Sequence, residues 1–433
     1  MIFSCLTLGC KTNQTETDAL AAALETKGHT RAAWGEPSRA LIINTCSVTS
    51  VSDRKSRGAI NKARKEQPGA VIAVHGCMAQ GMTEKPPDID VLGGTGDRAA
   101  FIEELERAVE NLTKHPSASP TGERRRAAGG VAPYKNADRT RAFLKIQDGC
   151  SNACAYCIIP SLRGGSRSIP YDEVLSGAEV FARGGAREIV LTGIEISAYD
   201  GGVDALAARL AERFPRVRFR LGSLDPSCVT ETFAETLSKY DNICPHFHIA
   251  LQSGCGRTLT AMNRSYGAAQ AARAVELLRA IPLLGGVPAG RGGYCTTGCD
   301  LIAGFPGETE EDFAETLEFI EKQNFTFMHI FPYSKRPGTV AAGLGGQLTN
   351  AVKKERASRA AALADKLFER SADRQDVLSV LFESERGGFS VGHADNYFEV
   401  SVKGTGLRNE VRHVKITGRA GKTLTGEILS PTD

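Results

Sequence analysis

Cys150, Cys154 and Cys157 lie in the run Gly149-Cys150-Ser151-Asn152-Ala153-Cys154-Ala155-Tyr156-Cys157, spaced C-x3-C-x2-C with an aromatic residue before the last thiol. Three thiolates hold three irons of a [4Fe–4S] cube and leave the fourth open to an outside ligand, an arrangement suited to chemistry at iron rather than plain electron transfer. A zinc knuckle or a disulfide uses the same residue type. Zinc sites usually combine two C-x2-C or C/H pairs, and no matching pair follows at such a separation.

A second set of thiols is spread through the first eighty residues. The apolar runs Ile2 to Leu8, Ala40 to Thr45 and Ala70 to Gly76 read as strands, and each ends at or next to a cysteine: Cys10, Cys46 and Cys77. Helical patterns follow the first two, from Thr12 and from about Ser52 to Lys65. Ligands gather at the carboxyl ends of strands in an open α/β sheet, so these three cysteines can converge and again offer three thiolates to a cluster. Three unrelated buried cysteines are the plain alternative. Cys5, Cys228, Cys244, Cys255, Cys295 and Cys299 read as ordinary thiols; the Cys295/Cys299 pair sits in a Gly-rich stretch without a third ligand.

The elements that must position these residues fall into three parts. At 433 residues the chain is too long for one core. Residues 1–112 read as an α/β sheet domain and 113–141 as a polar linker with Arg124-Arg125-Arg126 and several Pro and Gly. From 142 to 370, strands and helices alternate, which predicts parallel strands bent into a full or partial (β/α) barrel. Its strand ends are Thr192-Gly193-Ile194-Glu195, Gly222-Ser223-Leu224-Asp225, Gln252-Ser253-Gly254 and Gly304 to Glu308. Residues 371–433 show short strands separated by turns, as in a small β-barrel.

Formal net charge is only +3, so a nucleic-acid surface must come from local patches. The helix after Cys46 supplies one, with Arg54, Lys55, Arg57, Lys62, Arg64 and Lys65; a second lies between Lys403 and Lys422, with Arg408, Arg412, Lys415 and Arg419. Such runs are also common on solvated faces. No apolar run is long enough to cross a membrane, and the N-terminus lacks the layout of a signal peptide, so the expected location is the cytoplasm.

The C-x3-C-x2-C loop is the signature of the radical S-adenosylmethionine (SAM) superfamily. With Cys10, Cys46, Cys77 and the motif Phe331-Pro332-Tyr333-Ser334-Lys335-Arg336-Pro337-Gly338-Thr339, the chain resembles the methylthiotransferase family over essentially its whole length. Gly9 to Thr17 and Asn44 to Thr49 are most similar to the branch acting on N6-threonylcarbamoyladenosine in tRNA. The C-terminal segment resembles the RNA-binding TRAM domain.

The resemblance implies two [4Fe–4S] clusters, on Cys10/Cys46/Cys77 and on Cys150/Cys154/Cys157, with SAM on the second. Radical chemistry would then place a methylthio group on C2 of the modified adenosine. Tyr156, Gly193, Glu195, Ser223, Asp225, Gln252 and Arg264 are the candidate SAM-facing residues, Glu195 for its ammonium and Arg264 for its carboxylate. No side chain is needed as an acid, base or nucleophile. The implied partners are the tRNA anticodon stem-loop and an electron donor such as flavodoxin or ferredoxin, with the protein a monomer or weak dimer. Alternatives are a methylthiotransferase for isopentenyladenosine tRNA or a ribosomal protein, and a non-catalytic Fe–S redox sensor that binds RNA. Leu283 to Cys299 departs from the family's short link and reads as a surface loop insertion.

Overall fold

The computed structural model describes residues 1–114, 140–281 and 295–429. Strands β1 (Ile2–Thr7), β2 (Thr30–Arg31), β3 (Ala40–Thr45), β4 (Val71–Gly76) and β5 (Val91–Leu92) form a parallel sheet in the order β2-β1-β3-β4-β5. Every residue of β3 and β4 is buried, as central strands covered on both faces require. Helices α1 (Lys11–Thr26), α2 (Ser50–Glu66) and α3 (Cys77–Gln80) return the chain between strands, and α4 (Arg98–Lys114) follows β5. Leu20, Ile42, Phe101 and Leu105 fill one side of the sheet, and Ile43, Ile60, Ile72 and Val74 the other. The Thr49 side chain caps α2 by accepting from the Ser52 N–H.

The central part opens with β6 (Arg141–Lys145) and the short antiparallel pair β7 (Gln147–Asp148) and β8 (Arg167–Ser168), with α5 (Ile159–Arg163) between them. There follow α6 (Tyr171–Arg183), β9 (Glu188–Thr192), α7 (Val203–Arg213), β10 (Arg218–Leu221), β11 (Ser223–Leu224), α8 (Glu231–Leu237) and β12 (His246–Gln252). Then come α9 (Gly256–Ala261), α10 (Ala268–Arg279), β13 (Thr296–Ala303), α11 (Glu310–Gln323) and β14 (Phe327–Pro332). The strands pair in parallel in the orders β6-β9-β10 and β11-β12-β13-β14. Only Gly222 separates β10 from β11, so the two runs make one partial barrel with helices packed outside.

After α12 (Val340–Gly343) and α13 (Asn350–Ala372), β15 (Val377–Arg386), β16 (Phe389–Ala394), β17 (Glu399–Lys403), β18 (Val411–Ala420) and β19 (Thr423–Ile428) close into a small barrel. No helix among the described residues is long and apolar enough to cross a membrane.

Two stretches differ from the sequence pattern. Thr296 to Cys299 belongs to β13 rather than to a loop; Gly298 is needed there because a Cβ would come within 2.8 Å of His248 Nδ1. A glycine fitted to strand packing had imitated a loop signal. The rest of the proposed insertion, and most of the linker, lie outside the described residues. The run Tyr397 to Val402, whose alternation reads as one of the short strands of 371–433, pairs only from Glu399, because Tyr397 turns at φ 79° and stacks on His246 with ring centroids 4.5 Å apart.

That stacking is part of a buried seam between the two barrels. Glu188, fully buried, pairs with Arg218 at 2.6 Å and Arg220 at 2.8 Å. Arg218 also donates to the carbonyls of Ser379 (3.1 Å) and His393 (2.8 Å), and Arg220 to that of Asp395 (2.8 Å). Burial alone would raise the Glu188 pKa, but the two guanidiniums hold it well below the usual carboxylate range. Lys145 and Arg163 do the same for Glu16.

A depressed folded pKa contributes stability above the unfolded carboxyl pKa of about 4.3, and that stability is lost as pH falls. These pairs therefore leave the urea midpoint level from about pH 7 to about pH 5 and lower it from there to about pH 3.5. A midpoint unchanged between about pH 5 and about pH 3.5 would contradict these pairings.

Candidate functional site: two neighbouring cysteine triads

The loops that carry Cys10, Cys46 and Cys77 are tied together by side chains. Asn13 Nδ2 donates to Leu8 O at 2.9 Å and Thr45 O at 3.1 Å, Asn44 Nδ2 to Asn13 O at 2.8 Å, and Thr45 Oγ1 to His75 O at 2.7 Å. Gly76 turns at φ +96°, where a Cβ would lie 2.3 Å from Asn44 Oδ1, so only glycine can deliver Cys77 from β4. Cys10 precedes α1, and Gly9 sits so close that a Cβ there would meet Cys46 Cβ at 2.7 Å.

The second triad follows β7 directly. Its sulfurs receive N–H groups: Asn152 N on Cys150 at 3.4 Å, Ile159 N on Cys157 at 3.5 Å and Arg264 Nη1 on Cys154 at 3.0 Å. Such donors stabilise sulfur charge and tune a bound cluster. Burial pushes the Cys77 and Cys157 thiols each up to about 11.

The two triads are neighbours. Cys77, Cys150 and Ile159 share one apolar cluster, with Cys157, Leu162 and Ile194 packed against it. Arg163 joins them: its buried guanidinium donates to Cys77 Sγ at 3.2 Å, Asn13 Oδ1 at 3.0 Å, Glu16 Oε1 at 2.7 Å and Asp148 Oδ1 at 2.9 Å. Thr12 Oγ1 donates to Gly193 O at 3.0 Å, seating α1 on the carboxyl end of β9. Across the mouth, Arg336 pairs with Asp53 at 2.7 Å and donates to Ser47 Oγ at 2.9 Å. The Phe331 to Thr339 motif thus fastens β14 to the loop that follows Cys46.

A cavity of about 270 Å³ is walled by residues of the Cys46 loop and of the Cys150–Cys157 loop. Val48 and Thr49 of the Cys46 loop line one side; Tyr156, Gln252, Asp300 and Phe331 are among the residues on the other. Gln252 faces it from a left-handed backbone position, φ 66°.

Each triad fits an iron–sulfur cluster by its donor set: three thiols, N–H donors at the sulfurs of the second, and an arginine at Cys77. The other cysteines are placed elsewhere. Cys299 is in the barrel core, with Cys228 and Cys295 packed against that core, and Cys5 packs beneath the N-terminal sheet. Cys244 lies by Glu188, and Cys255 donates to Asp312. Burial pushes Cys5, Cys228, Cys244 and Cys295 each up to about 12, which marks them as unreactive thiols.

Of the other candidate residues, Tyr156 and Gln252 line the cavity, whereas the Gly193 carbonyl serves the contact with Thr12. Glu195 Oε1 accepts from Ser197 N at 3.2 Å, and burial with the nearby Asp225 raises its pKa. Ser223 is exposed. Arg264, expected to meet a SAM carboxylate, is paired with Asp225 at 2.6 Å and rests on Cys154 Sγ. Arg163, Asn13, Asn44 and Arg336 were not assigned a role from sequence; Asn13, Asn44 and Arg336 stand inside the quoted motifs, which was the available signal.

Two family models match the chain: the Radical SAM superfamily over residues 144–320, and Uncharacterized protein family UPF0004 over residues 3–91. The chain is 38% identical over 416 residues to the threonylcarbamoyladenosine tRNA methylthiotransferase MtaB of Bacillus subtilis, covering 92% of this chain and 90% of that one. It is 32% identical to the tRNA-2-methylthio-N(6)-dimethylallyladenosine synthase of Corynebacterium efficiens, over 84% of this chain and 70% of the relative. The fold and the C-x3-C-x2-C loop define a radical-SAM enzyme, which implies SAM and a [4Fe–4S] cluster.

The chain belongs to the radical-SAM methylthiotransferase family. The match to the Bacillus subtilis enzyme is higher in identity than that to the Corynebacterium efficiens enzyme. A solved radical SAM methyltransferase, TsrM from Kitasatospora setae with cobalamin and a [4Fe–4S] cluster, shares the fold at TM-score 0.53 and 16% identity, over 78% of this chain and 76% of that one.

Proposed function

We propose that this enzyme transfers a methylthio group to C2 of N6-threonylcarbamoyladenosine beside the anticodon of tRNA, using SAM and two [4Fe–4S] clusters. The observation that carries the reading is the cavity whose walls come from both cysteine loops. When bound, the two clusters and SAM supply one-electron cleavage of an aromatic C–H bond and the sulfur that replaces the hydrogen, chemistry beyond any acid or base.

The chain's own residues bind, orient and exclude water. Tyr156, Gln252 and Phe331 shape one wall for the flipped base, and Val48 and Thr49 hold the opposite one next to Cys46. Arg336 and Arg163 keep the N-terminal sheet locked over the barrel mouth, so the two triads keep their spacing.

Arg54, Lys55, Arg57, Lys62 and Lys65 form an exposed basic face on α2, suited to the phosphates of an anticodon stem. On the small barrel, Lys403 and Arg408 are exposed, while Arg412, Lys415, Arg419 and Lys422 are paired with Glu410, Asp376, Glu369 and Asp365. RNA binding there must use the unpaired part of the strip. A small ferredoxin- or flavodoxin-like reductant serves as electron donor, and the protein works as a monomer or weak dimer in the cytoplasm.

The test is mass spectrometry of nucleosides after anaerobic reaction with tRNA carrying threonylcarbamoyladenosine. The expected product has gained one sulfur and one CH2. Modification confined to isopentenyladenosine tRNA would move the protein to that branch, and no modification with intact clusters would favour a redox-sensing role.

A further inference from the structure

Three adjacent strands carry a polar wall that the steps above do not use. His248 of β12, Asp300 of β13 and His329 of β14 stand on one face of the sheet: Asp300 is in register with His329, His248 with Gly298, and Gly298 lies two residues before Asp300 on the same strand. Gly298 makes room for the first imidazole, since a Cβ there would come within 2.8 Å of His248 Nδ1. The other ring nitrogen, His248 Nε2, comes 3.1 Å from Asp300 Oδ1, and His329 Nδ1 comes 3.1 Å from the same oxygen.

The two approaches are not alike. His329 Nδ1 is hydrogen-bonded to Asp300. His248 Nε2 is just as near, yet it is buried and has no hydrogen-bond partner among the described residues, so the axis of its ring nitrogen passes beside the oxygen rather than through it. Donor atoms around one metal ion behave in this way. With bonds of about 2.1 Å at angles of about 90–109°, neighbouring donors lie about 3.0–3.4 Å apart, and each points at the ion instead of at the other donor. Here all three donor atoms lie within 4.8 Å of one another.

Charge points the same way. The Asp300 side chain is 24% exposed, and among the described residues it pairs with no Lys or Arg, only with the two histidines. A carboxylate so enclosed calls for a cation, and neutral imidazoles bring none. Two imidazoles and one carboxylate form a donor set for zinc, iron(II) and similar ions, whereas magnesium and calcium favour oxygen ligands throughout. Three protein donors also leave coordination positions open, as in metal sites that bind water or a substrate oxygen. Asp300 lines the cavity beside Tyr156 and Gln252, and the His329 side chain is 65% exposed.

We propose that His248 Nε2, Asp300 Oδ1 and His329 Nδ1 bind one divalent transition-metal ion of the zinc class, a metal centre apart from both cysteine triads, with its open positions turned to the cavity. Water, or an oxygen donor of the molecule bound in the cavity, completes the coordination. The assignment holds whichever adenosine is the substrate.

The experiment uses the full chain reconstituted anaerobically with iron and sulfide, so that the cluster thiols are occupied, and zinc chloride as the probe. After equilibrium dialysis against micromolar zinc, wild type is expected to hold about one zinc per chain with its iron content unchanged. X-ray absorption at the zinc edge should show nitrogen and oxygen neighbours at about 2.0–2.1 Å and no sulfur at about 2.3 Å. His329→Leu, at an exposed position, and the near-isosteric Asp300→Asn are each expected to weaken zinc binding at least about a hundredfold.

Wild type without bound zinc overturns the site, needs no variant, and leaves His248, Asp300 and His329 as a structural polar cluster. Undiminished binding by either variant overturns it too, because the zinc would then lie elsewhere. So do sulfur neighbours around the zinc, which would place it on cysteine thiols.

Discussion

Replacing Cys46 with alanine is expected to abolish methylthio transfer while 5′-deoxyadenosine is still formed from SAM. Cys46 supplies one of three thiols at the strand-end site, and nothing else among the described residues stands ready to replace it. The fold should survive the change. The Cys46 N–H and C=O both engage Ser56 Oγ, at 3.4 Å and 3.3 Å, and these contacts involve main chain only. The Cys150, Cys154 and Cys157 loop is held by its own donors and by Arg264, none of which involves the Cys46 side chain. Cys5→Ala is the matched control, since that thiol lies beneath the sheet, and its activity should be unchanged. Product formation by Cys46→Ala at the wild-type rate would show that the strand-end triad has no part in sulfur transfer.

The second large effect concerns the seam between the barrels. Glu188→Ala would leave Arg218 and Arg220 buried without their shared counter-charge, Arg220 being 1% exposed. Removing one partner of such a buried network costs about 3–5 kcal/mol, far more than an exposed pair is worth. The same arginines hold the carbonyls of Ser379, His393 and Asp395, so the loss should loosen the small barrel from the partial barrel. A lower urea midpoint, together with new protease cuts near residues 373–376, is the expected result. An unfolding free energy within about 0.5 kcal/mol of wild type would mean that the seam is held by packing alone.

How far these features could be read in the sequence depends on their range. Cys10, Cys46 and Cys77 were legible because each follows a buried parallel strand, and strand-end loops of one sheet meet at one edge. The alternation of strands and helices from 142 onward gave the barrel for the same local reason. Arg163 was not legible as a site residue. Its importance comes from reaching Cys77, Asn13 and Glu16 across the chain, which no local spacing encodes. The polar wall was hidden likewise: His248, Asp300 and His329 are far apart in sequence, and only the parallel register makes them neighbours. Arg264 shows the opposite case. A charged loop residue was noticed, but its partner in the fold is Asp225, a carboxylate itself singled out from the same strand ends.

Most direct for the account as a whole is the iron content per chain after anaerobic reconstitution with iron and sulfide, in wild type and in a variant with Cys10, Cys46 and Cys77 all changed to alanine. Two [4Fe–4S] clusters predict about eight irons in wild type and about four in the variant. About four in both would contradict the two-cluster enzyme.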